Sequence, residues 1–149
     1  MPAFEHTRSI TIAASPAAVY ALVDDFHAWE KWSPWEGLDT DLVRTYGGSE
    51  KGVGARYAWA GKKSGEGSML ITRAAPQRID IDLSFVKPFK ANNKAVFRFD
   101  AEGNATRVSW TMSGTRNVLL AIMGRLFFDA MIGKDFEKGL AKLKAAVEG

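Results

Sequence analysis

A chain of 149 residues in which 46% are hydrophobic is long enough to bury one full core and too apolar to remain unfolded. The formal net charge of +3 is spread over separate positions (Lys62, Lys63, Lys87, Lys90, Lys94, then the C-terminal segment). It forms no basic block, so nucleic acid is not an expected partner. The absence of cysteine excludes disulfides, thiolate nucleophiles and thiolate metal sites together, and it fits a reducing compartment.

The N-terminal residues MPAFEHTRSI lack an apolar run behind basic residues, so no secretory signal is expected. The longest apolar stretch, Val118 to Met123, is too short to cross a bilayer. The expectation is a cytoplasmic protein without membrane insertion, built as a single domain over residues 1–149.

In chain order, Phe4 to Ala13 reads as a strand in which Ile10 and Ile12 alternate with small polar residues. His6 and Arg8 share the parity of the isoleucines, which implies either a solvated strand end or a bulge. Ser15 and Pro16 supply an N-cap and a first helical residue, predicting a helix to about Val23. Asp24 or Asp25 then caps a second short helix carrying Phe26, Trp29 and Trp32, which Pro34 ends.

From Thr40 to Gly114 the pattern is strand and turn. The expected strands are Leu42 to Tyr46, Ala55 to Ala60, Gly67 to Ala74, the Ile79–Phe85 alternation, the Ala95–Phe99 alternation and the Val108–Met112 alternation. Short connections between consecutive strands imply an antiparallel meander. Gly114-Thr115 opens the last element, a long helix from Asn117 to Val147. Its apolar stripe is Leu119, Ile122, Leu126, Ala130, Gly133, Phe136, Leu140, Leu143 and Val147, with Met123, Phe127 and Met131 beside it. Lys134, Lys138, Lys142 and Glu148 fall on the other side. Strands segregated from helices predict the α+β class, with about seven strands, two short helices after the first, and the C-terminal helix across the dry face of the sheet.

Twisted antiparallel strands curl, and the glycines at 47, 48, 52, 54, 65 and 67 are expected bends and bulges. Inward positions on the sheet are Tyr57, Trp59, Phe85, Phe97, Phe99, Trp110 and Met112; the helix opposes them with Met123, Phe127 and Met131. Large aromatic walls facing small helix residues such as Gly124 and Gly133 are compatible with a ligand cavity, although on pattern alone a filled core is the commoner outcome.

The segments SITIAASPAAVYALVDDFHAWEKWSPW (9–35), GVGARYAWAG (52–61), GEGSMLITRAAPQRIDIDL (65–83) and GKDFEKGLAKLKAAVE (133–148) resemble, in order, the polyketide cyclase/dehydrase branch of the START-like (SRPBCC) superfamily. The resemblance implies a helix-grip fold: a curved antiparallel sheet wrapped around a long C-terminal helix, with a deep apolar cavity between them. It leaves activity open, because members include cyclases, lipid and hormone binders and chaperone activators.

Several constellations bear on chemistry. Trp29 and Trp32 lie one helical turn apart and Trp35 follows Pro34; Trp32 and Trp35 either rim the cavity or plug the open end of the sheet, and Trp29 plugs the core. Gly52-Val53-Gly54 and Gly65-Glu66-Gly67 lack the following helix that a phosphate cradle needs and read as turns. His6 and His27 stand alone, without partners for a zinc site or a catalytic triad, so neither metal nor cofactor is expected. Asp129 lies between the apolar rows of the helix, as a cavity acid or as the partner of Arg107, Arg116 or Arg125. With Tyr57 it is a candidate acid or base for a cyclization.

Three readings follow: binding of a small hydrophobic molecule or lipid without catalysis, a cyclase or dehydratase using the same cavity, or a co-chaperone-like interaction module. The scarcity of inward polar groups favours the first, with no assigned catalytic residue, in a monomer or homodimer. Its expected ligand-binding residues are Trp32, Trp35, Tyr57, Trp59, Met69, Phe85, Phe97, Phe99, Trp110, Met112, Phe127 and Met131.

Overall fold

The computed structural model describes residues 3–34, 41–62, 65–87, 90–115 and 125–148, with the side chains of 3, 4, 115 and 125–133 outside that description. Strand β1 (Ala3–Ile12) leads to helix α1 (Pro16–Tyr20) and a single 3₁₀ turn (Ala28–Lys31). Strands β2 (Val43–Gly48), β3 (Ala55–Gly61), β4 (Gly65–Ala75), β5 (Arg78–Lys87), β6 (Ala91–Glu102) and β7 (Ala105–Thr115) follow, and helix α2 (Arg125–Glu148) ends the chain. All strands form one antiparallel sheet in the order β1-β7-β6-β5-β4-β3-β2, a meander whose last strand closes onto the first.

The period-two alternations produce the sheet's two faces. Ile79, Ile81 and Leu83 on β5, Ala95, Phe97 and Phe99 on β6, and Val108, Trp110 and Met112 on β7 are all buried on the concave face. The β1–β7 register is continuous, so no bulge separates His6 and Arg8 from the isoleucines. Instead that end of the strand is partly solvated, and Arg8 reaches Glu137 of α2 at 3.3 Å. Register shifts do occur in the β4–β5 pair, between Glu66 and Gly67 and between Ile71 and Arg73. Each leaves one extra residue on one strand and sharpens the local twist.

Helix α1 is shorter than its sequence pattern. Ser15 Oγ caps it by accepting from Ala18 N–H, but it ends at Tyr20 and the chain continues in turns. Val19 and Val23 are buried there while Leu22 is only partly so. The second expected helix shrinks to the 3₁₀ turn, with Asp25 Oδ1 accepting from His27 N–H just before it. The first residues of the expected C-terminal helix, 117–124, lie outside the described residues, whereas Gly114 and Thr115 belong to β7.

Helix α2 runs along β1 and buries Phe136, Leu140 and Leu143, all at most 1% exposed. Polar bonds fix its C-terminal half. Lys142 donates to the Ser33 carbonyl at 3.2 Å and Lys144 to the Thr11 carbonyl at 2.9 Å, while Glu148 accepts from Ala13 N–H at 2.8 Å. That backbone N–H, with Lys144 beside it, holds the Glu148 carboxyl below its ordinary pKa.

A glycine on this buried side of α2 allows the closest approach. A Cβ at Gly139 would stand 2.9 Å from Pro34 Cδ and 3.0 Å from Trp110 Cζ3. Glycine costs a helix about 1 kcal/mol relative to alanine, and here that cost is offset by contact with two rigid rings. Gly139→Leu is therefore expected to lower stability by ~1–3 kcal/mol through overpacking. Phe136→Ala should cost about 3–5 kcal/mol, because it leaves a void against Trp110. Chemical denaturation of both variants checks these values.

Asp24, 8% exposed, sits where the turn after α1 meets the β2–β3 connection, and its carbonyl accepts from Gly52 N–H at 2.9 Å. Burial raises its carboxyl pKa, with Lys51 opposing and Asp25 adding to the rise. A raised carboxyl pKa means that the folded state keeps the proton to higher pH than the unfolded state does. Its contribution to stability is thus greatest below the ordinary carboxylate value and declines as pH rises through the folded value. Asp24→Asn is expected to raise the melting temperature at neutral pH and to change it little near about pH 3; thermal unfolding at the two pH values tests this.

Candidate functional site

The concave face divides into two zones. In the first, aromatic rings fill the space between sheet and helix. Trp32 and Phe97 are fully buried and Trp110 is 2% exposed. Phe97 stacks on Trp110 with centroids 4.9 Å apart, and Trp110 stacks on Phe136 of α2 at 4.0 Å and 7°. Trp32 meets both sheet rings edge-on, at 5.9 Å from Phe97 and 5.6 Å from Trp110, and lies 4.5 Å from Trp29. Two buried indole N–H groups are satisfied by the backbone that ends α1: Trp29 Nε1 donates to the Val23 carbonyl at 2.8 Å, and Trp32 Nε1 to the Leu22 carbonyl at 2.7 Å. Trp32, Phe97, Phe99 and Trp110 therefore stand in a closely packed cluster, with Tyr20 on Phe99 at 5.5 Å.

The second zone lies toward β2, β3 and β4. The registers align concave-face residues in transverse rows. One row runs Arg44, Trp59, Gly67, Phe85 and Ala91. The next runs Tyr46, Tyr57, Met69, Leu83, Asn93 and Gly114. The third runs Ile71, Ile81, Ala95, Met112 and His6. Tyr46, Tyr57, Trp59 and Phe85 are only half-buried although they face inward. They form a chain of ring contacts, Tyr46–Tyr57 at 5.3 Å, Tyr57–Trp59 at 6.2 Å and Trp59–Phe85 at 5.9 Å. Gly67 makes this possible: a Cβ there would stand 2.5 Å from Trp59 Cη2, so only glycine lets the indole lie flat across β4. Met69, Leu83, Ala95 and Met112 form the buried floor of the zone.

Of the sequence-derived candidates, Tyr57, Trp59, Met69, Phe85 and Met112 come together in this second zone. Trp35 and the side chains of Phe127, Met131 and Asp129 lie outside the described residues. Asn93 was not singled out from sequence, although its position two residues before Ala95 places it on the inward face; it is 7% exposed.

His27 stacks on Tyr46 at 3.9 Å and its Nδ1 lies 3.0 Å from Asp25 Oδ1, at the exposed rim. The glycine turn at 52–54 is tied internally, with Gly52 N–H on the Asp24 carbonyl and Gly54 N–H on the Ile71 carbonyl, both at 2.9 Å. Among the described residues no group of three His, Asp or Glu side chains is placed to hold a metal ion.

Two further clefts are present. One of about 460 Å³ on the convex face is lined by Thr72, Arg78, Asp80, Asp82, Lys94 and Arg98 among others. Its charges have both signs, and Arg78 is already paired with Asp80 at 2.6 Å. The other, about 590 Å³, lies between α1 and the β4–β5 turn and is lined by Pro16, Tyr20, Pro76 and Phe99 among others.

Comparison with known proteins bears on this arrangement. The structure resembles that of a Chromobacterium violaceum protein (TM-score 0.71, 15% identity, 97% of each chain). It also resembles a Thermus thermophilus protein (TM-score 0.69, 17% identity, 97% of each chain). The solution structure of the Aha1 dimer from Colwellia psychrerythraea is similar as well (TM-score 0.66, 19% identity, 99% of this chain and 97% of that one). These likenesses establish the helix-grip fold. A search of curated proteins found no match. The model of the family described as polyketide cyclase / dehydrase and lipid transport matches residues 3–148, and the chain belongs to that family.

Proposed function

We propose that the chain is a binding protein for a small apolar molecule, held over the second zone of the concave face and carried without chemical change. The observation that supports this most directly is the row of Tyr57, Trp59 and Phe85. These rings point to the inside of the sheet yet remain half-buried, while the neighbouring aromatic cluster is sealed. Inward aromatic surface left partly open is surface that a ligand would cover, and large flat rings give it dispersion contacts at little entropic cost.

The floor residues Met69, Leu83, Ala95 and Met112 are apolar and supply no acid or base, which favours carriage over a cyclase or dehydratase reaction. An interaction module has weaker support. The large exposed hydrophobics among the described residues, Val43, Val53 and Val86, sit at separated places on the surface. No described helix is long and apolar enough to cross a membrane, in keeping with a carrier that meets its ligand in water.

Ala95 gives the test. It is the small residue of the third row, between Ile81 and Met112. The native protein is expected to take up the neutral fluorophore N-phenyl-1-naphthylamine at about one per chain, since a preformed apolar site binds without first breaking packing. Ala95→Phe should abolish uptake with little change in melting temperature, and Trp59→Ala should weaken it. In a filled core the native protein would take up none, and Ala95→Phe would cost ~1–3 kcal/mol of stability; that pair of results would remove the binding reading.

A further inference from the structure

Resting on that binding site, the geometry points to Asn93 as its polar anchor: we infer that the ligand carries a hydrogen-bond donor, a hydroxyl in the simplest case, delivered to Asn93 Oδ1. Asn93 shares its transverse row with Tyr57, Met69 and Leu83, and its carboxamide neighbours the apolar side chain of Leu83, its direct partner on β5. It is 93% buried, from an exposure of 7%, and its Oδ1 has no hydrogen-bond partner among the described residues. A buried carbonyl oxygen without a donor costs about 1–3 kcal/mol. Leucine would occupy the same space without that cost, so the carboxamide needs a reason beyond packing.

The next strand supplies room for it. Gly114 is the β7 partner of Asn93, and a Cβ there would overlap Oδ1 and lie 2.9 Å from Cγ. The carboxamide thus lies over a position that has no side chain, two residues along β7 from Met112. An acceptor oxygen beside the apolar side chains of Met69 and Leu83 distinguishes molecules by one hydrogen bond. A ligand with a donor satisfies Oδ1, whereas a ligand of the same shape without one leaves it unpaired.

A matched pair of probes separates this inference from the binding reading it rests on. Isothermal titration calorimetry with 2-naphthol and 2-methoxynaphthalene compares the same ring system with and without a donor. The wild type is expected to bind 2-naphthol about tenfold more tightly, although the methoxy compound is the more hydrophobic of the two. Asn93→Leu should bring the two affinities within about twofold and leave the melting temperature equal or higher. Gly114→Ala should do the same to the affinities by pushing the carboxamide aside; its added Cβ also crowds Asn93 Cγ at 2.9 Å and Cβ at 3.3 Å, so some loss of melting temperature is expected with it.

Equal binding of both probes by the wild type, or an affinity ratio unchanged in Asn93→Leu and Gly114→Ala, overturns the role of Asn93 while leaving the proposed binding site standing. A melting temperature lowered by several degrees in Asn93→Leu would assign the carboxamide a structural bond and overturn it as well. Binding of neither probe removes the site, and both readings fall together.

Discussion

The stack of Phe136 on Trp110 and of Trp110 on Phe97 is the contact on which the rest of the structure depends. It joins α2 to β7 and β6 through stacked flat rings, and it marks where the interior is full. Trp32 and Trp29 complete the cluster from the side. They can do so because their indole N–H groups find acceptors in the carbonyls freed where α1 ends. The last carbonyls of a helical segment have no partner within it, and here the two indoles take that role for Leu22 and Val23.

With one half of the concave face filled, the other half acquires a distinct character. Its rings, Tyr57, Trp59 and Phe85, contact one another along the rows but are not sealed, and Phe26 links the two zones at 5.9 Å from Tyr57. The floor beneath them carries Met69 and Met112, whose unbranched side chains adapt to different shapes. A curved sheet can hold a rigid core and an adaptable site side by side because curvature separates the rows, and the irregularities in the β4–β5 pair fall beside the second zone. The buried carboxamide in that zone, Asn93, owes its place to the absence of a side chain at Gly114.

Much of this was legible in the residues themselves. Strand periodicity separated Ile79, Ile81 and Leu83 from Asp80, Asp82 and Ser84, and the structure places the first set on the buried face. Ser15-Pro16 marked the start of α1, and the helical stripe marked Phe136, Leu140 and Leu143. These signals are local, being set by backbone period, capping and missing donors, so they survive without knowledge of the fold. The length of α1 did not follow: after Tyr20 the ladder tightens to i→i−3 bonds, Leu22 N–H to the Val19 carbonyl and Val23 N–H to the Tyr20 carbonyl, a change that apolar spacing does not report. The second helix likewise contracted to one 3₁₀ turn once its aromatics had to turn inward.

What the sequence by itself determined was the α+β class, the meander and the inward face of Tyr57, Trp59, Phe85, Phe97, Phe99 and Trp110. Only the tertiary structure decided that Phe97, Phe99, Trp110 and Trp32 pack into a closed cluster while Tyr57, Trp59 and Phe85 stay half open. Periodicity assigns a residue to a face, but whether that face is filled depends on which rings from distant segments arrive opposite it. The same holds for Asn93. Its parity was readable, yet its unpaired oxygen arises from the register that sets it against Gly114 and Leu83, neither of which can donate a side-chain hydrogen bond.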